Sequence, residues 1–188
     1  MKLGIRHFAV AAAAAMFLSG AVQAQAAEPF SINLPTGFGA FATQSQSVDA
    51  PDGKIETTNW ITKSPSGEAI VITVSKMPGK ILSPEKLISS TRDSLIKSLG
   101  ATLEGEEAVS GTLTGSQMKF KATGAWLSSR VLVDEQNLYQ VLYVGRSAEQ
   151  RELPVVAEMF NSFEVKAPVI AATTPTETAA VQTAAEVH

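Results

Sequence analysis

The chain has 188 residues, of which 45% are hydrophobic and 18% are charged, with a formal net charge of −3. Its length permits a single hydrophobic core of ordinary domain size. The acidic balance and the lack of a basic run argue against binding to nucleic acid or to anionic lipid, because both need clustered positive charge.

Residues 1–26 are predicted to be a secretory signal peptide. Lys2 and Arg6 form a basic start, residues 8–18 are apolar, and Ala24-Gln25-Ala26 is a small-x-small cleavage signal. The apolar stretch is shorter than the about 20 residues that a bilayer span needs. We therefore expect cleavage, with a mature chain that begins near Ala27.

Export predicts a periplasmic or secreted location. The sequence contains no cysteine, so it has neither disulfides nor a cysteine for lipid attachment, which fits a bacterial periplasmic protein. No later stretch has the length and apolar continuity of a transmembrane helix. Without Lys2 and Arg6, 13 basic residues of the 15 remain against 18 acidic ones, a formal net charge of −5.

The first half of the domain is predicted to contain strands followed by one helix. Alternating apolar residues predict a short strand over 29–35, and the next segment, 36–47, is predicted to be a loop or a weak edge strand. Turns are predicted over 50–53 and 64–67. Strands 55–62 and 68–76 are predicted to form a hairpin around the second turn. Residues 84–99 are predicted to be an amphipathic helix, with Ser83 as N-cap, Pro84 at its first position and Gly100 as its stop.

The second half is organised around the hairpin over residues 124–145. Strands are predicted over 102–109 and 117–123, and then over the two sides of the polar turn 134–137. The strand after this turn is almost continuously apolar, so we expect it to be covered on both faces and to form the centre of the sheet.

The end of the domain is predicted to be helical. Ser147 to Gln150 form a capping-box pattern, and Pro154 is expected to kink or restart the helix. One apolar stripe is predicted, comprising Val155, Val156, Met159, Phe160 and Phe163. Residues 161–165 are predicted to form a short edge strand. The Ala-, Thr- and Pro-rich tail 167–188 is predicted to be disordered, which leaves one domain over residues 27–166.

This order of elements predicts an α+β fold with a mostly antiparallel sheet. The chain also resembles the PsbP/DcrB-like superfamily in its opening F-x-I-x-L-P at 30–35, its Ser-Pro-Glu helix start, the strand pair R-V-L-V…N-L-Y-Q-V-L-Y-V-G, and the ending F-x-S-F-x-V at 160–165. The resemblance implies an α/β/α sandwich, with helices flanking the sheet. It also implies a binding or assembly role without a catalytic site.

The side-chain inventory argues against most catalysis. The two histidines are His7, in the signal segment, and His188, so residues 27–166 contain neither histidine nor cysteine. This excludes a Ser-His-Asp triad, a cysteine nucleophile and the usual histidine-bearing zinc site in that domain. We predict no catalytic residue, no cofactor and no metal.

Two acidic groups remain as weak alternatives. Glu104, Glu106 and Glu107 could offer oxygen ligands to calcium, with Glu104 and Glu106 on one face of a strand, but a solvated strand end is favoured. Asp134 with Glu135 is favoured as hairpin-turn chemistry over a metal site.

Four residues are predicted as candidates for ligand or partner binding: Trp60, Trp126, Arg130 and Tyr143. Alternation places Arg130 on one strand face with Trp126, where it could anchor an anion; the alternative is a structural role. Trp60 is either an exposed interface residue or packed under a helix or loop.

The sequence favours a non-enzymatic envelope protein that binds or helps to assemble a protein partner. The alternative is a carrier or sensor with a small-ligand pocket between sheet and helix, near Trp126, Arg130 and Tyr143. A hydrolase that uses carboxylates ranks last. The oligomeric state is left open.

Overall fold

The computed structural model describes residues 28–166. The predicted signal peptide and the predicted disordered tail lie outside the described residues, so the domain boundaries stay predictions. The described range forms these strands and helices: β1 Phe30–Ser31, β2 Ala42–Ala50, β3 Gly53–Lys63, β4 Ala69–Lys76, α1 Pro84–Leu99, β5 Thr102–Val109, β6 Thr114–Ala122, β7 Ala125–Val133, β8 Asn137–Gly145, α2 Ala148–Arg151, α3 Pro154–Asn161 and β9 Glu164–Val165.

Seven strands form one antiparallel sheet in the order β2-β3-β4-β8-β7-β6-β5. Two meanders build it, β2-β3-β4 and β5-β6-β7-β8, and they meet where β4 pairs with β8. The central position predicted for the last strand of the 124–145 hairpin is confirmed. In β8 every residue except Asn137 and Val144 is buried, because both sheet faces are covered there.

Each face of the sheet carries its own apolar core. On one face, α3 packs over residues of β3, β4 and β8, with Phe30 and Phe163 completing the cluster. On the other face, α1 packs over residues of β6, β7 and β8. The fold is therefore an α+β, α/β/α sandwich, as predicted.

Where α1 does not cover its face, the sheet carries polar side chains that bond to one another. On β3 and β4, the Thr57 and Ser75 hydroxyls are 3.0 Å apart, and the Thr73 hydroxyl donates to the Asn59 side chain at 2.7 Å. Buried polar groups need such partners, because an unmet one costs the full desolvation of that group.

The predicted bounds of α1 are confirmed at both ends. Gly100 has a φ of 59° and its N–H bonds to the carbonyl of Ile96, the left-handed ending that glycine accepts most easily. Ser83 occupies the N-cap position, as predicted, although its side chain makes no capping bond.

The outer elements differ from the prediction in extent. The opening strand is only Phe30–Ser31, paired with β9, because Ile32 and Leu34 pack against the core instead of pairing. The segment 36–47, predicted to be either a loop or a weak edge strand, forms an edge strand from Ala42 onward. Pro154 restarts the helix as α3, and Val155 is 39% exposed, so it does not belong to the buried stripe.

Candidate binding site

The strongest candidate for a binding site is a cleft of about 360 Å³ at one end of the sheet. Three walls form it: the segment 35–38 before β2, the turn 64–68 between β3 and β4, and the start of α3. Tyr143 of β8 also lines it. The lining residues are Pro35, Thr36, Gly37, Phe38, Ser64, Pro65, Ser66, Glu68, Tyr143, Leu153, Val155 and Val156.

A carboxylate is held in position on one wall of this cleft. Glu68 accepts hydrogen bonds from the hydroxyls of Ser64 and Ser66, and its own backbone N–H donates to the Ser64 hydroxyl at 3.1 Å. The two serine hydroxyls hold the pKa of Glu68 below its ordinary value. The carboxylate is therefore ionised at neutral pH and keeps a fixed orientation.

Tyr143 supplies a neutral hydroxyl close to this carboxylate. Its side chain is 2% exposed, and burial together with the Glu68 charge raises its pKa to about 12. A phenol with such a pKa stays protonated throughout the physiological range, so it acts as a hydrogen-bond donor and not as a base.

The turn that carries Glu68 also packs against a basic side chain. Gly67 has a φ of 87°, and a Cβ built there would lie 2.0 Å from a guanidinium nitrogen of Arg146. The backbone conformation therefore favours glycine, and a side chain there would also have to displace this guanidinium. The cleft region therefore contains both an acidic and a basic group.

The outer rim of the cleft is apolar and exposed. Leu153 and Val155 are 44% and 39% exposed, and they are two of the four large hydrophobic side chains that are exposed within residues 28–166. Both flank Pro154, which cannot continue α2 and forces the chain to begin a new helix there. This break directs two apolar groups outward beside the cleft.

Of the four predicted binding residues, only Tyr143 lines this cleft. Arg130 instead contacts the C-terminal end of α3. Its guanidinium donates to the carbonyl of Phe160, to the side chain of Gln117 at 2.8 Å and to the side chain of Asn161 at 3.2 Å. Burial lowers its pKa, and its charge faces the negative end of the helix dipole. These contacts favour the structural alternative for Arg130.

The two tryptophans lie apart from the cleft lining. Trp126 is half-buried, with the Lys121 ammonium 5.6 Å from its ring centre. Trp60 is 5% exposed and packs edge-on against Phe30, at 5.1 Å between ring centres. Its buried indole N–H has no hydrogen-bond partner among the described residues. Trp60 is therefore packed in the core and not exposed. A binding role for the two tryptophans stays a prediction.

The acidic residues of β5 face in different directions. The ladder between β5 and β6 shifts between Leu103 and Gly105, and this bulge breaks the alternation. Glu104 bonds to Arg151 of α2 at 2.6 Å, whereas Glu106 bonds to Arg92 of α1 at 2.9 Å, on the opposite face. The prediction that Glu104 and Glu106 share a face is wrong.

Among residues 28–166, no three His, Cys, Asp or Glu side chains lie together as a metal site would require. Asp134 serves the hairpin turn, as predicted. Its carboxylate accepts the backbone N–H groups of Gln136 and Asn137 at 2.7 and 2.6 Å, and the Tyr139 hydroxyl at 2.9 Å. These bonds lower the pKa of Asp134 although burial acts in the opposite direction.

Within the described range, no helix is long and apolar enough to cross a membrane. No family model matches the chain, and a comparison with curated proteins found no match. Among solved structures, it is similar to the solution structure of cyanobacterial PsbP (CyanoP) from Synechocystis sp. PCC 6803, with 14% identity, a TM-score of 0.42, and coverage of 78% of this chain and 98% of that one.

This likeness is too distant to assign residues or an activity. What the described residues establish is the class of fold, an α/β/α sandwich around an antiparallel sheet. Membership of the PsbP/DcrB-like superfamily stays a prediction from the sequence resemblance.

The cleft was missed by reasoning from the sequence, although one signal was present. The pattern Ser64-Pro65-Ser66-Gly67 predicts a turn, and the two serines with Glu68 at alternate positions also offer this carboxylate two local donors. The exposed pair Leu153 and Val155 gave no such signal, because the apolar pattern placed Val155 in the buried helix stripe and did not single out Leu153.

Proposed function

We propose that this chain is a non-enzymatic, exported binding or assembly-accessory protein of the cell envelope. The cleft beside α3 carries the proposal. In this view a protein partner inserts an apolar side chain against Leu153 and Val155. A neighbouring N–H or ammonium group of the partner donates to Glu68. Exposed apolar groups beside one oriented polar group are typical of recognition surfaces.

The chemistry of the cleft supports binding over catalysis. A general base works best when its pKa lies near the operating pH. Glu68 instead has a lowered pKa and is occupied by two serine hydroxyls, and Tyr143 has a raised pKa. Neither group is suited to take up a proton from a substrate at neutral pH.

Site-specific crosslinking tests the protein-binding proposal. A photoreactive amino acid at position 155 is compared with the same amino acid at position 82, since Leu82 is 86% exposed and does not line the cleft. We expect a discrete product from position 155 in cells of the native host. It should be absent from position 82 and lost when Leu153→Ser is added. Equal products from both positions, or none from 155, would contradict the proposal.

The alternative is a carrier or sensor of a small ligand. The volume of the cleft, about 360 Å³, lies at the lower end of the range for ligand pockets. A bound ligand should raise the melting temperature by mass action. A panel of amphipathic amines and lipids that shifts the wild type but not Leu153→Ser would favour this alternative, and a panel without any shift would reject it.

The envelope location rests on the predicted signal peptide and has its own test. We expect the native protein in the periplasmic or secreted fraction, with a mature N-terminus near Ala27. N-terminal sequencing of the purified protein measures this directly. A cytoplasmic protein that retains residues 1–26 would contradict the exported role while leaving the cleft itself untouched.

A further inference from the structure

The outer side of β2 is an open edge of the sheet. The strand has nine residues, and all of them except Ala50 are exposed. Among residues 28–166, β3 is its single neighbour in the sheet, so one row of its backbone N–H and C=O groups faces away from the sheet. Such a row can accept a further strand.

The devices that commonly block strand addition are absent from β2. Its register with β3 runs without interruption from the Ala42–Ile61 pair to the Ala50–Gly53 pair, so it has no bulge. It contains no proline and no lysine, and its only charged residue is Asp49. A straight, nearly uncharged edge is open to pairing.

We propose that β2 pairs antiparallel with β2 of a second copy of this chain. The two seven-stranded sheets then continue into each other across a two-fold axis at Gln46. Such an interface is isologous, so it closes at two copies and does not propagate into fibres. No residue of β2 lines the cleft, so the proposal goes beyond the proposed function.

The sequence of β2 complements itself in this register. Pairing around Gln46 uses all nine residues and gives these opposed pairs: Gln46 with Gln46, Ser45 with Ser47, Gln44 with Val48, Thr43 with Asp49, and Ala42 with Ala50. No like charges oppose each other. Each Asp49 faces a Thr43 hydroxyl, which can donate to it, and opposed polar pairs of this kind stabilise antiparallel strands.

The polarity of both strand faces favours a modest, reversible association. Thr43, Ser45 and Ser47 point to one face, Gln44 and Gln46 to the other, and all are exposed. Little apolar area is therefore buried, and the backbone bonds together with the side-chain pairs provide the stabilisation. We expect a dimer whose population depends on protein concentration.

Charge reversal at the two-fold axis tests the pairing. The full mature chain is measured by sedimentation over a range of concentrations as wild type, Gln46→Lys, Gln46→Glu, and an equimolar mixture of the two variants. Each single variant places like charges opposite each other, so its association constant should fall at least about tenfold. The mixture should associate at least as well as the wild type. Thr102→Lys, on the opposite edge, is the matched control and should leave association unchanged.

Three results would overturn the proposal. The first is a wild type that is monomeric at every concentration. The second is undiminished association of both single variants, which would place the contact elsewhere. The third is a monomer in which the amides of residues 43–49 resist hydrogen exchange until residues 168–188 are removed. That result would show that the chain covers the edge with its own C-terminal segment. Circular dichroism confirms that the variants fold.

Discussion

The two edges of the sheet are built in opposite ways. β5 carries a bulge and three glutamates, and two of these are tied to arginines of α2 and α1 on opposite faces. β2 is straight, polar and exposed, and its side-chain contact to the sheet is the Ser45–Thr58 hydroxyl pair at 2.9 Å. The β5 edge is tied to both helical layers by ion pairs, whereas the β2 edge has no bulge and carries Asp49 as its one charged residue.

The difference shows how one sheet can contain a fixed half, on the β5 side, and an adaptable half, on the β2 side. On the β5 side, ion pairs to α1 and α2 anchor the strand, so its local opening should cost more than that of β2. The β2 strand has few buried contacts, so it should open or exchange partners at lower cost. The substitutions below compare the two halves, in order of decreasing effect.

The largest effect is expected from a pair of glycines. At Gly115, on β6 next to β5, an added Cβ would lie 2.5 Å from a methyl of Leu132 and 2.7 Å from the carbonyl oxygen of Val131. Gly115→Ala should therefore destabilise by about 1–3 kcal/mol. At Gly39, before β2, nothing lies within 4 Å, so Gly39→Ala should change stability by less than about 0.5 kcal/mol. Urea unfolding measures both, and equal effects would contradict the comparison.

The next effect concerns the anchoring of β5. The Arg151 side chain is 8% exposed and bonds to Glu104, to Glu152 and to the carbonyl of Phe120. Arg151→Ala should cost about 2 kcal/mol, because it leaves charged and polar groups without their donor. Lys54→Ala, at the start of β3, is the control and should cost less than about 0.5 kcal/mol. The midpoints of urea unfolding measure the loss of stability in both variants.

A matched apolar pair gives a smaller contrast. Leu103 of β5 is half-buried against the α1 core, whereas Val48 of β2 is 55% exposed. Leu103→Ala should cost about 1–2 kcal/mol, less than for a fully buried leucine. Val48→Ala should be close to neutral. The stability of both variants should be measured at protein concentrations at which the chain is monomeric. A costly Val48→Ala there would mean that β2 is covered in the monomer.

The smallest expected effect is a dependence on pH in the β5 half. The ammonium of Lys119, 2.6 Å from Glu152, holds the pKa of that carboxyl below its ordinary value. Its stabilising effect is thus complete above the unfolded pKa, about 4.3, and is lost as pH falls through the lower folded pKa. Because Glu152 is 47% exposed, solvent screens the pair and only a few tenths of a kcal/mol are expected. Glu152→Gln should reduce the loss of stability between pH 6 and pH 3, and an unchanged loss would exclude this pair as its source.

Local signals predicted the elements that depend on nearby residues. Proline at the start and glycine after the end gave the bounds of α1, and the apolar run after Asp134 identified β8 as the central strand. These features follow from backbone propensity and side-chain periodicity, which the sequence displays directly.

Features that depend on distant contacts were not predictable in the same way. Whether Trp60 is exposed or packed is decided by Phe30, which belongs to a different sheet. The bulge in β5 changes the direction of Glu104, and its one local marker is Gly105, since an isolated glycine in a strand often accompanies a bulge. The cleft requires the turn 64–68 and the start of α3 to meet, and these segments lie far apart in the chain.

The β4–β8 pairing has a consequence for how the chain folds. Each meander can form from hairpins between neighbouring segments, whereas the Ile72–Val141 pair joins segments that α1 and three strands separate in the chain. Closing so long a loop is entropically slow compared with forming a hairpin. The two meanders should therefore assemble early, and their docking along the middle of the sheet should limit the folding rate.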